Sequence, residues 1–461
     1  MDVGWSDIEA NAGVYDFSRF DELLASLEAR GMRLHLIVDY LNPLYPSFEA
    51  ADFMTVTSPA FAAMARALAA HFAGRGVTYE VWNEPNGSTF WKRSTADFAA
   101  FCAAAVKALH AGDASAQVCS GGLSGFDYRF VDAFLASGGG LGFDAIGVHP
   151  YRRAGGESVA HDLVLMRAVV GDRINPAPPI WDTEWGYSST WYGDGHAYDA
   201  RMQQAQMVAR ELLSAGSMAF PLVVYYDLRD GGTDGQNAEH NFGLLGNDYT
   251  EKPALVAVRT LTGAVKGRGF VGFLQTGLSS LHALRFDSEK EQLLAVWWDN
   301  PRDDVVLELP AHTAGTDVLG RSLALDSESP SELTWKESYG PLYLTFVRVT
   351  PTGVAGGSGG ESGAGGAAAD GGSASSAAGG RSGVSFAGSA GGGSANLGGG
   401  GTQSQGGASG TSTGSGCGCS LVAADHGARC WGSLGLAVGL IRWTRRRGTL
   451  GSARAARRCG H

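Results

Sequence analysis

Two glutamates stand where apolar runs break into loops. Glu84 lies in "YEVWNEPNGSTFW" (residues 79–91) and Glu184 in "PIWDTEWGYSS" (179–189). A carboxylate at the tip of a buried strand is costly to desolvate unless its charge is used. Two of them, 100 positions apart (184 − 84), can face one another if both strands end on the same side of a sheet. Such a pair suits glycoside hydrolysis, in which a protonated carboxyl gives its proton to the leaving oxygen and an ionised one attacks the anomeric carbon. Different surroundings hold the two groups at different pKa values. A strand-end glutamate on its own is more often an ion-pair partner. Asn-Glu-Pro and Thr-Glu-Trp-Gly contexts in one chain favour the chemical reading.

The elements that must position this pair alternate strand with helix from residue 5 to about 262. "FSRFDELLASLEARG" has Ser18 as a cap, Phe20, Leu23, Leu24 and Leu27 on one face, and Gly31 as its stop. "RLHLIVDY" follows as a buried strand. Helices at 58–73, 95–111, 128–136, 157–170, 199–214 and from Pro253 are interleaved with the strands 77–82, "AQVCSGG", "DAIGVHPY", "PIWDTEW" and "FPLVVYYD". Continuous apolar strands between amphipathic helices imply a parallel sheet covered by helices. Asp39, Glu84, Ser120, His149, Glu184 and Asp227 all fall at strand ends, where a (β/α)8 barrel builds its site. A doubly wound open sheet is the competing α/β reading, but no GxGxxG loop follows any strand.

Composition bounds the rest. The 461 residues are 44% hydrophobic and 10% aromatic, enough for a large core, and carry a net charge of −11. Seven arginines follow Ile441 with no acid among them, so the body is more acidic than the total, which argues against nucleic acid as a partner. Residues 266–350 change to short strands such as "LLAVWWDN" and "LYLTFVRV", the pattern of a small β-sandwich. Residues 351–416 are Gly, Ser, Ala and Thr with only Glu361, Asp370 and Arg381 charged, which predicts a disordered, flexible linker. The chain thus divides into 1–265, 266–350, 351–416 and a terminal segment, 417–461. Cys102 and Cys119 have no ligand-like neighbour in sequence; they read as buried thiols, with a disulfide left open, and no metal or cofactor is expected.

"VWNEPN" and "DTEWG" resemble the motifs on the fourth and seventh strands of the retaining clan A (β/α)8 glycoside hydrolases, family 39 (β-xylosidases and α-L-iduronidases) in particular. "GWSDIEANAGVYDFSRFDELLASLEARGMRLHLIVDY" resembles the clan's passage from strand 2 to strand 3, and "GLLGNDYTEKPALVAVRTL" its stretch after strand 8. The resemblance runs over about residues 3–350. It implies a TIM barrel with Glu84 as acid/base and Glu184 as nucleophile, and a carbohydrate substrate. Asn83 would bond the sugar 2-hydroxyl, and His149 and Tyr151 would flank the nucleophile. Trp185 would line the sugar site, and Tyr226 would take the wall where many members carry tryptophan. Trp5, Tyr40, Trp82, Trp91 and Trp191 are further candidates for stacking on sugar faces, or else core. By the same resemblance the chain starts where the second strand is ending, so strand 1 and most of strand 2 are expected to be missing. A non-catalytic surface protein that keeps the barrel as a carbohydrate-binding or adhesive module is the reading from another class.

The two ends pull apart. "MDVGWSDIEANAG" has no basic or apolar leader, so either the start is miscalled or the gene is truncated. The terminal segment places Cys417 and Cys419 before an apolar stretch, Trp431 to Trp443, and clustered arginine. It resembles the C-terminal sorting segments of myxobacterial surface proteins, which implies lipid or membrane anchoring at the outer surface. The apolar stretch is shorter than the ~20 residues that span a bilayer, and a disordered basic tail is the bland alternative. A reporter carrying residues 352–461 behind an export signal should appear on the cell surface. Cys417→Ser combined with Cys419→Ser should release it to the medium, measured by fractionation; identical fractionation of both reporters leaves only the basic-tail reading.

Overall fold

The protein is described from a computed structural model covering residues 1–140, 142–276, 280–299, 304–326, 328–335, 340–347 and 442–446. The expected linker and most of the terminal segment, Cys417 and Cys419 included, lie outside those residues.

The first part alternates strand and helix. In order these are β1 (Asp2–Gly4), α1 (Trp5–Ile8), α2 (Ser18–Glu28), β2 (His35–Asp39), α3 (Phe53–His71), β3 (Thr78–Val81), α4 (Thr95–Gly112), β4 (Gln117–Cys119), β5 (Leu123–Ser124), α5 (Tyr128–Ala136), β6 (Ile146–His149), α6 (Ala160–Arg173), β7 (Ile180–Trp185), α7 (Tyr198–Ser217), β8 (Val223–Tyr225) and α8 (Pro253–Val265). The strands pair in parallel as β1-β2-β3-β4 and β5-β6-β7-β8. Single bridges, Asn83 with Gly122 and Cys119 with Ala145, join the two runs. Parallel strands need long crossovers, and the helices supply them. Among the described residues β1 and β8 do not pair with each other. This is the α/β architecture of a TIM barrel, with the strand tips carrying Asp39, Glu84, His149 and Glu184 toward one end.

Tertiary packing moved two element boundaries. α3 begins at Phe53, a turn before the expected 58, with Pro59 inside it. Phe53 is fully buried against Phe48, Trp91 and Phe101, and burying such a ring is worth about 3 kcal/mol, so the helix extends to include it. Ser18 does not cap α2: Phe17 holds the cap position, and the Ser18 N–H donates to Asp16 Oδ1 at 3.0 Å. Helices α3 and α4 pack closely at Gly112, where a Cβ would run into the Arg66 carbonyl.

Residues 269–347 hold β9 (Gly269–Phe273), β10 (Leu281–Asp287), β11 (Glu291–Trp298), β12 (Asp304–Leu309), β13 (Thr313–Thr316), β14 (Ser331–Trp335) and β15 (Leu342–Val347). They form an antiparallel sheet of order β13-β15-β11-β10-β9 and a second in which β12 lies between β14 and β16 (Arg442–Arg446). The terminal segment was not expected to supply a strand. Leu284, Leu294, Val296, Leu307 and Leu344 share a core with Leu213 of α7 and Leu261 of α8. Trp297 Nε1 donates to Glu157 Oε2 at 3.1 Å, and Glu157 is also ion-paired with Arg210. The β-rich part therefore docks on the barrel through apolar burial and the hydrogen bond from Trp297 to Glu157.

The segment from Tyr226 to Lys252 is pinned from below. Lys252 Nζ, 1% exposed, donates to Asp230 Oδ1 at 2.8 Å and to the Asn241 carbonyl at 3.3 Å. The Gly243 N–H donates to the same Asp230 oxygen at 2.8 Å. Gln204 Nε2 donates to the carbonyls of Tyr187, Asn241 and Phe242. Lys252→Met keeps the stem and leaves the Asp230 charge buried without its cation. It should lower stability by about 3–5 kcal/mol, read as a loss in the denaturant midpoint.

Candidate active site

Glu84 is aimed by an unusual backbone. Beyond β3, Trp82 (φ 74°) and Glu84 (φ 43°) take left-handed conformations that cost on the order of 1–3 kcal/mol each in non-glycine residues. The cost is borne by packing. Trp82 is 1% exposed, meets Tyr40, Phe48, Phe61, Trp91 and Phe101 at ring separations of 5.5–6.0 Å, and donates from Nε1 to the Phe90 carbonyl at 3.1 Å. The Glu84 N–H donates to Gly122 O at 2.9 Å, and its carbonyl accepts from Gly87 N–H at 2.9 Å. On the opposite side, the register of β7 with β8 shifts between Asp182 and Trp185, beside Glu184.

A cavity of about 400 Å³ opens between them, lined by Asn83, Glu84, Phe90, Tyr151, Glu184, Trp191, Tyr226, Glu239 and Phe242. Five of the seven expected site residues, Glu84, Glu184, Asn83, Tyr151 and Tyr226, thus share one wall-to-wall space. Tyr151 donates its hydroxyl to Glu184 Oε1 at 2.7 Å. Asn83 Nδ2 donates to the Tyr40 hydroxyl at 3.1 Å, while its Oδ1 has no partner among the described residues. The Tyr226 hydroxyl donates to Glu239 Oε2 at 3.4 Å, and its ring packs edge-on to Tyr151 and Phe242.

His149 lies just behind this wall, fully buried, with Nδ1 3.3 Å from Glu84 Oε1 and Nε2 3.3 Å from Glu80 Oε1. The first contact has hydrogen-bond geometry; the second is an ion pair off the ideal angle. Burial pushes the imidazole toward its neutral form, but the carboxylates of Glu80 and Glu84 outweigh it and raise its pKa to about 10. At Glu184 burial dominates and lifts the carboxyl above its ordinary range, against the His149 charge and the Tyr151 hydrogen bond, which hold it down. The same burial, with the Glu184 charge beside it, raises the Tyr151 phenol, which therefore stays a donor.

Trp185 is the correction. It is fully buried in the barrel core beside Tyr187 and does not line the cavity. Successive side chains of a strand point to opposite faces, so a residue next to Glu184 turns away from it. Trp5, Trp82 and Trp91 are core as well; of the expected stacking tryptophans, Trp191 alone is among the lining residues. Phe90, Glu239 and Phe242 were missed because they come from loops whose course the sequence pattern does not set. Glu80 was missed too, although a charge within the apolar run "TYEV" was a signal.

Cys119 has neighbours that its sequence context did not suggest. Its Sγ lies 3.7 Å from Glu80 Oε2, and with His35 the three offer ligand atoms within 4.8 Å of one another. Glu80 is already engaged: Oε1 accepts from the Gly122 N–H at 2.6 Å and Oε2 lies 3.3 Å from His35 Nε2. The cluster is accounted for as a hydrogen-bonded knot beneath the cavity. Cys102 and Cys119 are both free thiols.

No protein-family model matches the sequence, and no curated protein matches it. Solved structures do. A family 39 glycoside hydrolase from the gut symbiont Bacteroides cellulosilyticus WH2 superposes with a TM-score of 0.62 at 20% identity, covering 75% of this chain and 74% of that one. A monomeric β-xylosidase from Caulobacter crescentus CB15 gives 0.51 at 16% identity over 73% of this chain and 85% of its own. A glucosidase from Croceicoccus marinus gives 0.52 at 12% identity over 74% and 84%. This chain has the fold of these glycoside hydrolases.

Tyr151→Phe tests the electrostatics. Removing a hydrogen bond to a charged carboxylate costs ~1.5 kcal/mol or more, about one pKa unit. The folded-state pKa of Glu184, already raised, should therefore rise by about one further unit, measured by carbon-detected NMR titration of its carboxyl.

Proposed function

We propose that this protein is a retaining glycosidase that hydrolyses O-glycosidic bonds of a carbohydrate. The observation that carries the reading is the convergence of Glu84 and Glu184 on one cavity, each with its own partner: His149 on Glu84 and Tyr151 on Glu184. The fold shared with glycoside hydrolases supports it.

In the first step the Glu184 carboxylate attacks the anomeric carbon as the bond to the leaving oxygen breaks, and Glu84 gives that oxygen its proton. Glu84, now ionised, takes a proton from water, whose oxygen attacks the same carbon and frees Glu184. Two inversions leave the anomer unchanged. Asn83 Oδ1, unpartnered among the described residues, is free to accept from the sugar 2-hydroxyl, a bond that strengthens as charge develops. Phe90, Trp191, Tyr226 and Phe242 offer aromatic surface to the apolar faces of a sugar. Attachment at the cell surface through Cys417 and Cys419 is part of the same proposal and rests on the composition of the terminal segment.

Glu184→Ala should abolish turnover of aryl glycosides, and added azide should restore it as a glycosyl azide of inverted anomer. Glu84→Ala should spare substrates with good leaving groups, which need little acid assistance, and lose ~100-fold or more on poor ones. Wild-type rates in both variants on all substrates would overturn the assignment; binding of sugar without turnover in the unmodified protein would favour the non-catalytic reading.

A further inference from the structure

Beneath the candidate site lies a carboxylate that the proposed chemistry does not use. Glu80 sits on β3, four residues before Glu84, with its side chain fully buried. Nothing about hydrolysis requires a charge there, and an unpaired buried carboxylate would be expelled or neutralised. Glu80 is instead enclosed by donors. The Gly122 N–H reaches Oε1 at 2.6 Å, His35 Nε2 approaches Oε2 at 3.3 Å, and His149 Nε2 approaches Oε1 at 3.3 Å. His35 is itself oriented by Thr78 Oγ1, 2.8 Å from its Nδ1.

The arrangement is a line of alternating imidazole and carboxyl groups across the barrel: His35 of β2, Glu80 of β3, His149 of β6, then Glu84 just beyond β3. Room for it is made at Gly122, where any Cβ would collide with both His149 Nε2 and Glu80 Oε1. His149 thus lies between two carboxyl groups, with Nδ1 in hydrogen-bond geometry to Glu84 Oε1 and Nε2 in ion-pair range of Glu80 Oε1.

We propose that Glu80 is a positioning residue for the acid/base: by holding His149 Nε2 from below, it fixes the ring so that Nδ1–H stays directed at Glu84. This rests on the glycosidase reading for its kinetic consequence, and on geometry alone for the clamp. Other charges face the same ring. Glu184 and Asp182 approach it from β7, and Glu80 is in turn faced by Asp39 of β2 and Cys119 of β4. Glu80 differs from these in touching His149 at the nitrogen opposite Glu84. Although burial opposes it, the two histidines keep the Glu80 carboxyl well below the usual range, so it stays ionised.

Glu80→Gln keeps the shape and an oxygen for the Gly122 N–H but removes the charge. The His149 ring, followed by nitrogen-detected NMR, should stay protonated to about pH 10 in the unmodified protein and lose its proton at least two units lower in the variant. If the clamp serves Glu84, the kinetic loss should depend on the leaving group. Hydrolysis of glycosides with poor leaving groups should fall roughly tenfold or more, and that of activated aryl glycosides should change little, because only the former need the positioned acid. A uniform loss across leaving groups with an unchanged thermal melt would overturn the positioning role. An unchanged His149 titration would overturn the proposal whether or not the protein hydrolyses any glycoside. No turnover of any substrate by the unmodified protein would instead count against the glycosidase reading, and the ring titration would still decide the clamp.

Discussion

The charge carried by His149 organises the mouth of this barrel. Four carboxylates, those of Glu80, Glu84, Asp182 and Glu184, converge on a region with little access to water. Like charges at such proximity cannot all ionise without a cation among them. The buried imidazolium is that cation, touching two of the four directly. It favours ionised Glu80 outright and opposes the desolvation that raises Glu184. Without it these buried carboxyls would lose the cation that opposes their protonation.

Geometry depends on a second constraint, the backbone at the end of β3. Left-handed φ at both Trp82 and Glu84 is tolerated because Trp82 is locked within a cluster of aromatic rings from α3, α4 and the loops between them. Core packing thus sets the direction of a side chain in the cavity. The far wall is set differently. Phe242, Glu239 and Tyr226 belong to a long segment after β8 whose polar groups are satisfied by Asp230, Lys252 and Gln204 rather than by a sheet. One side of the site is held by apolar burial and the other by buried polar contacts, whose removal leaves unmet hydrogen-bond and charge requirements.

Much of this could be read from residue order. Alternating apolar strands and amphipathic helices specified a parallel α/β fold, because each pattern buries only one kind of face. Glu84 and Glu184 were legible as a pair because each ends an apolar strand in an Asn-Glu-Pro or Thr-Glu-Trp-Gly context, and Tyr151 and Tyr226 through the family resemblance of the stretches around them. The sequence could not tell which of two adjacent residues faces inward at an irregular strand end, so Trp185 was assigned to the cavity although it belongs to the core. Nor could it show that Phe53 starts α3, since that follows from rings contributed by Phe48, Trp91 and Phe101. The cluster of Glu80, His35, Cys119 and His149 was equally invisible. Its members are single residues on four different strands, and only the tertiary arrangement of those strands, at spacings that no local pattern encodes, brings their polar atoms close together.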